Sequence, residues 1–154
     1  MKRIAVVRIR GKIGVNTGVE DTLQMLNLTR VNYSTLINDD EVYSGMLKKV
    51  KDYVTWGEVG AESVSLMLKN RGELVGRQKI TDSYIKKRTK YKSIADFAKA
   101  FVKFEAELDE IPSVRPVFRL HPPRRGHEGI KRTFRQGGAL GHRDNIKDLL
   151  FKMR

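Results

Sequence analysis

Between Arg119 and Arg143, twenty-five positions carry seven Lys or Arg residues, one acidic residue, all three histidines of the chain and five glycines. Guanidinium groups pair with phosphate oxygens two at a time, and imidazole or phenyl rings offer flat faces to bases, so this mixture is suited to a nucleic-acid chain. The candidate contacts are Arg119, His121, Arg124, Arg125, His127, Lys131, Arg132, Arg135, His142 and Arg143, with the ring of Phe134 among them. Only Leu120, Ile130, Phe134, Ala139 and Leu140 are apolar, and Pro122-Pro123 and Gly137-Gly138 break any helical or strand period. The segment is therefore expected to build no packed core and to order on its partner. RNA is the better polyanion, because no helix-turn-helix or zinc-finger pattern offers an element for the DNA major groove.

A second cationic group is Arg8, Arg10 and Lys12, spaced around Gly11 and Gly14 where a strand turns toward a helix. Backbone N–H groups in such a loop can hold a phosphate. The same glycines also serve simple turn geometry, and their count fits no Walker loop. The run Lys86-Lys87-Arg88 adds three further candidates. No catalytic constellation competes with these cations. The histidine spacings match no zinc pattern, and the serines lack a nucleophile-elbow context. Asp39-Asp40-Glu41 reads as a turn, and the acids from Glu105 to Glu110 as the end of an amphipathic helix. Trp56 stays open between core packing and base stacking. No metal, cofactor or small-molecule substrate is expected.

The charge is not spread evenly. Lys and Arg outnumber Asp and Glu by 9 to 7 through Gly60, by 11 to 8 from Ala61 to Pro112, and by 11 to 3 beyond, which localises most of the net +13 in the C-terminal part. A localised excess is an electrostatic footprint for a polyanion, where an even one would only aid solubility. Cysteine is absent, the first apolar run is broken by Arg8, and no run approaches the ~20 residues of a membrane helix. A soluble, cytoplasmic protein with no membrane partner is the expectation.

These groups need a scaffold. Ile4 to Arg10 reads as a strand, Thr17 to Leu28 as a helix capped by Thr17 with Glu20, and Val31 to Ile37 as a second strand. Ser44 is expected to cap a second helix through Val54, and Thr55 to Val59 to form a third strand. The order βαβαβ predicts an α+β, ferredoxin-like split βαβ core over residues 1–60: a three-stranded sheet with both helices on one face, placed there by right-handed crossovers. Residues 61–154 are then a helical and basic-loop extension packed on the core as one unit. It contains a helix at Ala61–Asn70, a short piece of no assigned type around Asp82–Arg88, a long helix from Ser93 to Ile111 with the stripe Ile94, Phe97, Phe101, Phe104, Leu108 and Ile111, a strand within Val114–Leu120, and a terminal helical turn at Asn145–Met153.

Arg10-Gly-Lys-Ile-Gly14, Leu23-x-x-Leu26-x-Leu28-x-Arg30-Val-Asn32 and Gly137-Gly-Ala-Leu-Gly-His-Arg143 with Ile146, Leu149 and Met153 carry a likeness over nearly the whole chain. The chain resembles the large-subunit ribosomal protein family numbered thirty in bacteria and archaea and seven in eukaryotes, in its archaeal type. The resemblance implies a structural, rRNA-binding constituent of the large subunit with a ferredoxin-like fold and no enzymatic activity, in contact with neighbouring ribosomal proteins. It adds Arg30 to the candidate RNA contacts. Two alternatives stand beside it: an acylphosphatase-like enzyme holding phosphate near Arg10 to Gly14, and a general nucleic-acid-binding protein.

Overall fold

The computed structural model describes residues 2–154. The chain forms β1 (Arg3–Arg8), α1 (Thr17–Met25), β2 (Tyr33–Asn38), α2 (Glu41–Val50), β3 (Val54–Glu58), α3 (Ala61–Arg71), α4 (Asp82–Arg88), α5 (Ile94–Val102), β4 (Phe118–Arg119), β5 (Gly141–His142) and α6 (Ile146–Lys152), in that order. The sheet order is β4-β2-β1-β3-β5. As the central strand, β1 is buried along its whole length, which is why it reads as an apolar run and does not alternate. Successive side chains leave a strand on opposite faces. Ile4 and Val6 accordingly join Leu23, Leu26, Leu47 and Val50 beneath α1 and α2. Ala5 and Val7 join Val64, Met67, Leu68, Phe97 and Phe101 on the other face, beneath α3 and α5.

The expected three-stranded centre with α1 and α2 on one face is present, for a partly different reason. β1 is antiparallel to both β2 and β3, with Ala5 opposite Leu36 and Val6 opposite Trp56. Only β2-α2-β3 is thus a parallel crossover, spanning β1. α1 joins antiparallel neighbours, and it lies on that face because Leu23 and Leu26 bury there. The sheet also gains two edge strands. β4 pairs antiparallel with β2, and only two residues of the 114–120 stretch take part. β5 pairs parallel with β3 through Thr55–Gly141 and Trp56–His142.

Three helices differ from the expectation in their limits. Asn16, not Thr17, caps α1, its side chain accepting from the Gly18 amide; the helix stops at Met25, and Asn27 turns the chain at φ 59°. Asp40 precedes α2, so Ser44 lies inside that helix. The long helix expected through Ile111 ends at Val102. There Arg3, buried, donates from Nε to the Phe101 carbonyl at 2.9 Å and from Nη2 to the Ala106 carbonyl at 3.1 Å. Its guanidinium lies 4.0 Å from the Phe101 ring centre and 4.1 Å from that of Phe104. A buried cation must find acceptors, and Arg3 takes them from the end of this helix. Phe104 turns to φ 64° and leaves the stripe, while Leu108 and Ile111 rejoin the core.

The basic segment is also more structured than expected. The Phe134 amide donates to the Leu140 carbonyl at 2.8 Å, and the Leu140 amide to the Arg132 carbonyl at 3.1 Å, around a short 3-10 turn at Phe134–Gln136. Leu120, Ala139 and Leu140 are core residues. The segment is anchored at both ends because its buried apolar side chains, Leu120, Ala139 and Leu140, sit there beside the edge strands, while Ile130 and Phe134 in its middle stay exposed.

Candidate nucleic-acid interface

Starting on β4 at one sheet edge and finishing on β5 at the other, residues 119–143 run the full width of the sheet. Two hydrogen bonds tie its first part to α6, from the His121 amide to the Met153 carbonyl at 3.0 Å and from the Arg124 amide to the Lys152 carbonyl at 3.2 Å. Two more contacts tie it to the start of β2: the Leu120 amide donates to the Asn32 carbonyl at 3.1 Å, and His127 Nε2 lies 3.4 Å from Asn32 Oδ1. Arg30, exposed, is two residues from that junction.

Arg124, Arg125, Lys131, Arg132 and Arg135 are all exposed, and none makes an ion pair among the described residues. Some surface cations elsewhere are matched, Lys2 with Glu58 at 2.5 Å, Lys147 with Glu62 at 2.6 Å and Lys90 with Glu110 at 3.4 Å, so what sets 124–135 apart is that five unmatched cations fall within twelve residues. Unmatched, solvent-facing guanidinium groups on an anchored loop are what phosphate contact needs, since little existing pairing has to be broken first.

Arg143 is half-buried. Its Nη2 donates to the Ala139 carbonyl at 3.3 Å, and its guanidinium lies 4.6 Å from the Phe134 ring centre. Burial lowers its pKa, and the charge nearby, after burial itself, lowers that of His127 below the ordinary histidine value. His127 is therefore a neutral ring at pH 7, a stacking or hydrogen-bonding group and not a cation. His142 on β5 is exposed, 3.5 Å from Asp144 and edge-on to Trp56. Trp56 itself is half-buried against the α1–α2 core. Arg119 lies near the Tyr33 ring and 3.9 Å from Glu73, so it is partly committed within the fold.

Arg8 is the clear correction. Its side chain is 0% exposed. It donates to the carbonyls of Arg10 at 2.9 Å, Leu28 at 2.7 Å and Gly11 at 3.2 Å, and pairs with Glu20 at 3.0 Å. It shapes the loop from within and has no donor for RNA. Arg10 and Lys12 remain outside, Arg10 donating to the Asp52 carbonyl at 3.1 Å and Lys12 3.6 Å from Glu20. Alternation along β1 could have signalled the burial of Arg8, because Val6 and Arg8 share a face. Lys86, Lys87 and Arg88 form the exposed last turn of α4, which packs by Ile85 against α5 and α3. Among the described residues, no hydrogen bond or ion pair joins that turn to 119–143.

The fold adds residues that spacing could not find. Arg71, Lys79 and Arg154 converge with His121 around one open depression. They come from four separate segments, so no local motif marks them. Ile13 is fully exposed at the tip of the loop between Lys12 and Gly14. Among the described residues there is no group of acidic and histidine side chains able to hold a metal ion, and no helix is long and apolar enough to cross a membrane.

Comparison with known proteins agrees with this architecture. Residues 4–54 match the family model described as Ribosomal protein L30p/L7e. The large ribosomal subunit protein uL30 of Methanopyrus kandleri is 53% identical over 148 residues, covering 94% of this chain and 99% of that protein. Its counterparts in Methanoculleus marisnigri and Methanocella arvoryzae are 46% and 40% identical, each covering 97% of this chain and 99% of theirs. A sheet centred on β1, a cation-bearing strap across its width and full-length similarity at this level place the chain in one family: it belongs to the ribosomal protein L30p/L7e family.

Proposed function

We propose that this protein is a structural, non-catalytic constituent of the large ribosomal subunit, working in the cytoplasm, that binds and stabilises rRNA and abuts neighbouring large-subunit proteins. The observation that carries the choice of contact face is the set of five exposed, unpaired cations from Arg124 to Arg135 on a strap fixed at both ends. Its neighbours Arg30, Arg143 and His121 with Arg71, Lys79 and Arg154 extend the same polarity. Arg10 and Lys12 supply a second contact beside Ile13, and Lys86 to Arg88 a third. The loop after β1 is poorly suited to hold a substrate phosphate for hydrolysis. Arg8, its buried arginine, is engaged by three carbonyls and a carboxylate, and Arg10 stands outside with Nη1 on the Asp52 carbonyl, so among the described residues the loop encloses no free cation for a substrate.

Binding through many phosphates is salt-sensitive, because each neutralised phosphate releases counterions, giving a log–log slope of about −0.7 to −0.9 per contact. The full chain bound to a transcript of large-subunit rRNA should show a slope worth several contacts. Replacing Arg124, Arg125, Arg132 and Arg135 together by Ala should reduce it by roughly three while leaving thermal unfolding unchanged. A slope near one contact in the parent protein, or an undiminished slope in the variant, would place the interface elsewhere.

A further inference from the structure

Beneath the basic strap, between residues 123–128 and the first turns of α6, lies a cavity of about 460 Å³. That is within the range of roughly 300–1,000 Å³ typical of sites for small ligands. Its composition is specific. Phe134 and Arg143, both in the lining, are planar groups already stacked at 4.6 Å. Gly137 and Gly138 form a wall without side chains. Arg124, Arg125 and Lys152 bring positive charge to the lining. Asp148 supplies an acceptor, held in place by a 2.6 Å hydrogen bond from Asn145 Nδ2 to its Oδ2.

Arg143 is the group whose chemistry is incomplete. Burial disfavours its charge, no carboxylate pairs with it, and its Nε has no hydrogen-bond partner among the described residues. A half-buried cation in this condition gains most from an anion brought close to it. Flat faces, a fixed carboxylate and an uncompensated arginine together match a nucleotide: the base stacks, its donor edge meets the carboxylate, and its phosphate meets the arginine.

We propose that this cavity receives a single unstacked guanine of the bound RNA, stacked on the Phe134–Arg143 pair, with its N1–H and N2–H groups donating to Asp148 and its phosphate on Arg143 and Arg124. Guanine is the base that presents two adjacent donors to one carboxylate. The assignment rests on the RNA-binding reading and adds to it a site for one base. It gives the strap a role that phosphate tracking alone lacks, since stacking and edge contacts locate the protein at one nucleotide.

The test uses the full chain and three RNA hairpins of one stem sequence: fully paired, with one unpaired guanosine, and with one unpaired uridine. The guanosine bulge should bind about tenfold more tightly than the paired stem, at the low end of what a base–aromatic stack contributes. Phe134→Leu should reduce that advantage to less than about threefold with the salt slope unchanged, because it removes the ring and no cation. Asp148→Asn should erase the preference for guanosine over uridine. Phe134 and Asp148 are both exposed enough for these variants to fold, which thermal unfolding checks. Equal binding of all three hairpins with a steep salt slope would overturn the base site and leave the RNA-binding face standing. Failure to bind any of them at low salt would remove both.

Discussion

Arg8→Met isolates what the buried arginine does. Methionine retains most of the side-chain length and removes every donor. The three carbonyls of Arg10, Gly11 and Leu28 then lose their partner, and Glu20, whose side chain is only 19% exposed, loses its nearer counter-charge and keeps only the exposed Lys12 at 3.6 Å. Breaking one side of a buried ion pair costs about 3–5 kcal/mol, and the lost carbonyl bonds are part of that sum. For a chain of this length that corresponds to a fall in Tm of roughly 6–20 °C. The hydrogen bond from Arg8 also holds the Glu20 carboxyl below its ordinary pKa. A depressed carboxylate pKa gives stability that is complete above the unfolded value of about 4.3 and is lost as pH falls through the folded value. Urea unfolding from pH 7 down to pH 3 should therefore show an acid limb in the parent protein that flattens in Arg8→Met. RNA affinity, measured well below the variant's Tm, should be little changed. A variant that keeps its stability but loses most of its RNA affinity would refute the reasoning, because Arg8 would then be a contact and not an internal strut.

Three further outcomes are expected. His127 should titrate below pH 6.5 by NMR in the free protein, because burial and then the Arg143 charge both oppose its protonation; the unfolded chain takes the proton first, so stability declines as pH falls through about 6.5 and levels off below the folded value, and a midpoint at or above 6.5 would contradict this. Gly57→Ala should destabilise by about 1–3 kcal/mol, since a Cβ there meets the Arg143 carbonyl and lies 3.0 Å from Ile146 Cβ; faster exchange of the Arg143 amide, which donates to the Trp56 carbonyl at 2.8 Å, would report the release of β5. A fragment ending at Gly60 leaves Ala5, Val7, Ile9 and Leu36 without the helices that cover them, so it should unfold without a sharp transition and bind a hydrophobic dye, whereas a cooperative, monomeric fragment would show that α3 and α5 are dispensable to the core.

The sequence alone determined the order of strands and helices in the first sixty residues, because each carries a local signal: the apolar run of β1, the Val19-Leu23-Leu26 spacing of α1 and the Met46-Leu47-Val50 stripe of α2. It also located the cationic strap, since charge and glycine content need no knowledge of neighbours. Tertiary structure decided whatever depends on a distant partner. The helix after Ser93 has a stripe continuing to Ile111, yet it ends at Val102 where Arg3, far away in sequence, claims its carbonyls. β4 and β5 are each two residues long, too short to have a period, and exist because β2 and β3 present open edges. Arg8 and Arg124 are the same residue type in similarly basic surroundings. One is an internal strut and the other faces solvent, and the difference lies in which carbonyls and carboxylates the fold brings to each guanidinium.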